Sequence, residues 1–183
     1  MSALPTLPLL CHPACPCRAV QAITASAALT DDGLLLHYFV AADPAAIRLP
    51  APGPAQAADG LWQHTCCEAF IAPTESTEYC EFNFSPSGEW AAYRFTGYRA
   101  RDTGYAAGLA PHIEFQQHAT GFELTANLPV QLLPASAEWQ ISLTMVVEAS
   151  DGSKSYWALA HSAAQPDFHL RQSFSLILKA AHP

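Results

Sequence analysis

The sequence predicts an all-β fold, an antiparallel β-sandwich of about ten or eleven strands. Three observations predict it. Short apolar segments recur between turn residues along most of the 183-residue chain. Several of them alternate apolar and polar side chains with a period of two, which puts one face of a strand in a core. No stretch carries the longer apolar period of an amphipathic helix. Half of the residues are hydrophobic, ample material for a packed core, so residues 1–183 read as a single domain.

The elements follow in order. Residues 1–17 are apolar but broken by prolines and lack a basic leading region, so they read as an extended arm and not as a signal peptide. Ala19 to Leu29 and Leu34 to Val40 flank Asp31-Asp32-Gly33, the signature of a hairpin. Residues 42–60 are rich in Pro and Ala without periodicity and form a long loop. Strands are expected at Cys66 to Ala72, Tyr79 to Ser85, Trp90 to Phe95, His112 to His118 and Phe122 to Leu128. Ile141 to Ala149, Ser155 to His161 and Phe174 to Lys179 complete the set. Within them Cys80, Phe82 and Phe84 oppose Tyr79, Glu81, Asn83 and Ser85, while Ile141, Leu143, Met145 and Val147 oppose Ser142, Thr144 and Glu148. A half-buried antiparallel sheet accounts for both patterns.

Composition narrows the function. Only 13% of the residues are charged and the formal net charge is −8, which argues against nucleic acid or anionic membrane as a partner, since both need basic patches. No apolar run reaches the ~20 residues that span a bilayer. The expected compartment is the cytoplasm, where cysteines are more often buried thiols than disulfides. Cys66, Cys67 and Cys80 read as core thiols. Cys11, His12, Cys15 and Cys17 form a denser thiol and imidazole cluster of residue types that bind zinc or copper, but its spacing matches no standard zinc site and the stretch is proline-rich, so no metal site is expected.

The densest polar and aromatic concentration runs from Leu61 to Arg101. Pro86-Ser87-Gly88 is a tight turn that pairs its flanking strands as a hairpin. Glu81 and Asn83 share one strand face, and Trp90 and Arg94 share one across the turn. Two readings stay open, because the register decides whether those faces coincide. If they do, a guanidinium, a carboxylate, an amide and an indole form a patch that suits a neutral polyhydroxylated ligand. If they do not, Glu81 and Arg94 are ordinary surface charges. Near the C-terminus, Trp157, Leu159 and His161 alternate onto one face, and Asp167 and His169 read as turn residues. No nucleophile elbow, phosphate-cradling loop or His-Glu-x-x-His motif is present, so nothing points to catalysis.

At these residues the chain resembles a known group. Leu61-Trp62-Gln63-His64-Thr65-Cys66-Cys67-Glu68-Ala69-Phe70, then Glu81 through Gly88 and Trp90 through Phe95, are similar to the bacterial DOMON-like proteins, relatives of the family 9 carbohydrate-binding modules. Tyr156-Trp157-Ala158-Leu159 and Pro166-Asp167-Phe168-His169 match the same pattern, and the likeness is weakest over residues 100–140. The resemblance implies a β-sandwich of jelly-roll or immunoglobulin-like type that binds a sugar or, in other branches, a haem. In the sugar-binding modules two Trp residues sandwich the ligand while a carboxylate and an Arg hydrogen-bond its hydroxyls. It implies Trp62 as the first aromatic, Glu68 as the carboxylate, Arg94 as the guanidinium and Trp157 as the second aromatic. The sequence departs from the pattern at Cys67, where an aromatic is more typical, and lacks an Asp shortly before the carboxylate.

The expected function is therefore a non-catalytic module that binds a carbohydrate or similar polar small molecule through Trp62, Glu68, Glu81, Asn83, Arg94 and Trp157, with no cofactor. Two alternatives stand beside it. One is a haem-binding redox module ligated by Met145 and His161. The other is a domain whose polar patch meets another protein.

Overall fold

The computed structural model describes residues 6–180. Eleven strands build it: β1 (Leu7–Cys11), β2 (Val20–Thr30), β3 (Gly33–Ala42), β4 (Cys66–Pro73), β5 (Tyr79–Phe84), β6 (Trp90–Phe95), β7 (His112–His118), β8 (Gly121–Pro129), β9 (Glu138–Glu148), β10 (Lys154–Ala158) and β11 (Leu176–Lys179). All pairings between them are antiparallel. The strands run in the order β6-β5-β4-β9-β10-β1-β2-β3-β8-β7, with β11 paired to β9. The sheet is all-β, antiparallel and curled on itself like a half-barrel.

The expected hairpin of β2 and β3 forms around Asp31-Asp32, with Thr30 opposite Gly33. Gly33 lies at φ 150°, and a Cβ there would meet the Leu128 carbonyl oxygen at 2.0 Å. Gly121, at φ 149°, has the Val40 carbonyl in the same place at 1.9 Å. Both glycines let β3 and β8 approach at either end of their ladder, where any side chain would strike backbone.

The N-terminal segment corrects one expectation. It is not only an extended arm, because Leu7–Cys11 is a strand inserted between β2 and β10. Leu7, Pro8 and Leu9 pair with β2, whereas Leu10 and Cys11 pair with β10. Each half of β1 is therefore laddered on one side. Pro8, which has no N–H to donate, is tolerated because it falls where only one flank is bonded.

The main core fills the space between β2, β3 and β8 on one side and β4, β5 and β9 on the other. Ile23, Leu36, Tyr38, Phe122 and Leu124 meet Ala69, Phe82, Phe84, Leu143 and Met145 there. The opposite face of the β6-β5-β4-β9-β10 layer is covered too. Phe70, Tyr79, Phe95 and Val146 pack against Phe168 and Phe174 from the segment that crosses back after β10. That double cover explains why every residue of β5 is buried and why only Pro73 of β4 is not. The final strand begins at Leu176 and not at Phe174, because residues 171–173 form a single tight helical turn that seats Phe174 in this second cluster.

Candidate functional site

Alternation divides the side chains of β4, β5, β6 and β10 between the core and the outer face. A cleft of about 950 Å³ opens on that outer face. Its floor is made by Glu68 and Phe70 from β4, Glu81 from β5, Tyr93 and Phe95 from β6, Val146 from β9 and Tyr156 from β10. Trp62, 51% exposed, stands on the rim formed by residues 59–63. Arg99, Arg101, Cys15 and the 165–169 segment form the rest of the rim.

Two carboxyls dominate the floor. Glu68 lies opposite Asn83 and Glu81 lies opposite Phe70 in the β4–β5 ladder, so the two acids are diagonal neighbours on one face. Glu68 is 3% exposed and Glu81 6%. Burial pushes the Glu68 carboxyl well above its ordinary range, the Glu81 charge adds to this, and the Thr144 hydroxyl at 3.5 Å opposes it. Burial raises Glu81 to about 7 against the donated bond from Asn83 Nδ2 at 3.0 Å and the nearby Arg99 and Arg101 charges. Glu68 Oε1 and Asn83 Oδ1 are both buried without a hydrogen-bond partner.

A chain of polar contacts leads from this pair to the rim. The Tyr79 hydroxyl accepts from the Arg99 backbone N–H at 3.1 Å and so donates to His169 Nδ1 at 2.8 Å. That leaves the His169 proton on Nε2, 3.7 Å from Glu81 Oε2. Burial, with the Arg99 charge, lowers His169 to about 4, so the ring is neutral. Arg99 itself sits in the left-handed region at φ 53°, a strained conformation for a residue with a side chain. Its guanidinium is held 2.9 Å from Asp167, which also accepts from the Tyr98 hydroxyl and the His169 N–H. Arg101 lies 4.1 Å above the Tyr93 ring and 3.5 Å from Asp59, and the Tyr93 hydroxyl donates to Asp59 at 2.6 Å.

With that geometry in hand, the chain compares with two solved structures. A presumed carbohydrate-binding protein from Bacteroides uniformis superposes with a TM-score of 0.68 at 18% identity, over 96% of this chain and 86% of that one. A family 9 carbohydrate-binding module from Caldicellulosiruptor kristjanssonii, solved in complex with glucose, superposes with a TM-score of 0.51 at 12% identity, over 93% of this chain and 83% of that one. The fold is like that of a family 9 carbohydrate-binding module. No protein-family model matches the sequence, and no curated protein does.

The structure brings together Trp62, Glu68 and Glu81, with Asn83 buried beside Glu81. It does not bring Arg94 or Trp157 to them, which corrects both positions. The β5–β6 register sets Glu81 opposite Tyr93 and Cys80 opposite Arg94, so Arg94 points to the far side of the layer. There it bonds Asp102 and lies 5.1 Å above the Tyr105 ring. Trp157 pairs with Met145, packs in the main core and donates to Ser155 Oγ at 2.9 Å. Its neighbour Tyr156 takes the outer face. Sequence reasoning missed Asp59, Tyr93, Arg99, Arg101 and Tyr156 as lining groups, and read Asp167 and His169 as turn residues. Tyr93 and Tyr156 were recoverable from alternation once the register was known, whereas Arg99 and Arg101 lie on a loop that no pattern orients.

The haem pair does not fit. Met145 is enclosed in the main core, and His161 Nε2 bonds the Leu10 carbonyl at 2.8 Å, so the two ligating atoms face no common space. The N-terminal cluster is likewise engaged. His12 Nδ1 accepts from the Ala14 N–H at 3.1 Å, which commits its Nε2 proton to the Ala163 carbonyl at 3.1 Å. Among the described residues no three His, Cys, Asp or Glu side chains gather as a metal site.

Proposed function

We propose that the chain is a non-catalytic module that binds carbohydrate in the cleft above β4, β5 and β6. The observation that carries this reading is the half-exposed indole of Trp62 at the rim of a 950 Å³ cleft whose floor holds buried carboxyls and aromatic rings. An aromatic face suits the C–H side of a sugar ring, and planar polar groups grip its hydroxyls in pairs. Arg99 and Arg101 supply the guanidinium groups in place of Arg94, and Tyr156 supplies a second aromatic in place of Trp157. The cleft volume suits one or two sugar rings, since small-molecule sites commonly span roughly 300–1,000 Å³. The carbohydrate-binding neighbours in fold support the same reading, and the Trp62–Phe70 and Glu81–Phe95 blocks support a kinship with DOMON-like proteins.

Calorimetry with a panel of mono- and disaccharides tests it. A sugar in the panel binds the wild-type chain, and Trp62→Ala weakens that binding at least about tenfold, ~1.4 kcal/mol. Because Trp62 is exposed, the same change leaves folding stability within about 0.5 kcal/mol. No binding across the panel refutes the proposal.

A further inference from the structure

The floor of the cleft is rich in acceptors and poor in donors. Glu68 Oε1 has no partner and Glu81 Oε2 has only the distant His169 Nε2, while Asn83 Oδ1, buried behind the cleft lining, has none. The nearby donors serve the other oxygen of each carboxyl: Asn83 Nδ2 donates to Glu81 Oε1 and the Thr144 hydroxyl to Glu68 Oε2. A sugar hydroxyl brings one hydrogen and two lone pairs, and on the floor its lone pairs face mostly acceptors, since the guanidinium donors of Arg99 and Arg101 stand on the rim. An ammonium brings three hydrogens and no lone pair.

Charge points the same way. The cleft is lined by four carboxyl groups, Asp59, Glu68, Glu81 and Asp167, against two guanidiniums, Arg99 and Arg101, a formal balance of −2 when all are ionised. Each guanidinium already faces its own rim aspartate, Arg99 with Asp167 at 2.9 Å and Arg101 with Asp59 at 3.5 Å. The two floor glutamates are the acids with no guanidinium in direct contact, although Arg99 and Arg101 act on Glu81 from a distance. A bare metal ion is a poorer match, because two carboxylates do not fill its coordination shell and among the described residues no third ligand of that kind joins them.

We propose that the cleft selects a carbohydrate bearing a free primary amine, its ammonium seated between Glu68 and Glu81. This rests on the carbohydrate reading above and names the ligand class within it. The ammonium completes the unpaired oxygens with charge-assisted hydrogen bonds, which are about twice as strong as neutral ones. It also sets a positive charge between two acids whose proton affinity burial raises, with the Glu81 charge adding to the rise at Glu68.

Calorimetric titration of the full chain with glucosamine, glucose and N-acetylglucosamine, at one pH close to neutral, where Glu81 begins to ionise while the amine keeps much of its proton, and at one salt concentration, tests this. The three share a ring and differ at one substituent. The expected result is binding of glucosamine at least about tenfold tighter than either of the others, with Glu68→Gln and Glu81→Gln each erasing that preference while thermal melts confirm that the variants fold. Glucose or N-acetylglucosamine bound as tightly as glucosamine overturns the amine proposal and leaves the carbohydrate reading standing. A preference for glucosamine that survives in both variants overturns the seat assigned to the ammonium. Binding of none of the three, or of any other sugar in the wider panel, overturns the carbohydrate reading and the amine proposal together. The wild-type comparison needs no variant, so a failure of either glutamine variant to fold does not shield the proposal.

Discussion

Replacing Glu81 with glutamine should change how stability responds to pH in a defined window. In the folded chain Glu81 titrates at about 7, against an ordinary value of 4.5. A group that holds its proton more tightly when folded stabilises the fold below its unfolded value, and that contribution disappears as pH rises through the folded value. At 1.36 kcal/mol per pH unit, the interval corresponds to about 3 kcal/mol lost between roughly pH 4.5 and 7. His169 works in the opposite sense. Burial lowers it from 6.5 to about 4, so the folded state binds fewer protons there and stability rises with pH over roughly pH 4 to 6.5, by a similar amount. The His169 slope offsets part of the loss at Glu81, to which Glu68, also raised by burial, adds in the same direction. Glu81→Gln keeps the size of the side chain and removes its titration, which leaves Glu68 alone to oppose the His169 slope. Urea denaturation at closely spaced pH values from 4 to 8 reads the difference. Relative to wild type, the variant should gain about 3 kcal/mol as pH rises across the window. Surface acids such as Glu138 and Asp151 contribute equally to both proteins and drop out of the comparison. A difference between variant and wild type that stays constant with pH refutes the reasoning.

Three further outcomes follow from the same structure. Gly121→Ala places a methyl group 1.9 Å from the Val40 carbonyl oxygen at φ 149°, and should cost at least about 2 kcal/mol in urea denaturation, since the β3–β8 ladder must part to admit it. Arg94→Ala should leave sugar affinity unchanged, because that side chain bonds Asp102 on the far side of the layer. Arg99→Ala, at the rim, should lower the affinity severalfold in the same titration.

Most of the architecture was legible because burial writes itself into alternation. Cys80, Phe82 and Phe84 on β5 and Leu143, Met145 and Val147 on β9 do face the core, as a period of two requires. What alternation does not carry is which face of one strand meets which face of the next. A difference of one residue in the β5–β6 register exchanges Arg94 for Tyr93, and one residue along β10 exchanges Trp157 for Tyr156. The apolar outer face compounded this. Phe70 and Tyr79 pack beneath the crossing segment around Phe168, so both faces of the layer are greasy and residue type no longer tells inside from outside. The N-terminal strand was hidden by Pro8, and only the partition of its ladder between two neighbours shows why the proline is harmless.

That partition has a mechanical consequence. The path from one half of the curled sheet to the other runs through β1, which offers three paired residues to β2 and two to β10. Ladders elsewhere are longer: β3 and β8 alone pair over nine positions. A chain under thermal agitation opens first where the fewest bonds must break together. The seam at Leu9 and Leu10 is such a place. It acts as the spine of a book whose covers are the two halves of the sheet, and His12, bonded to Ala163 just past the seam, is the clasp.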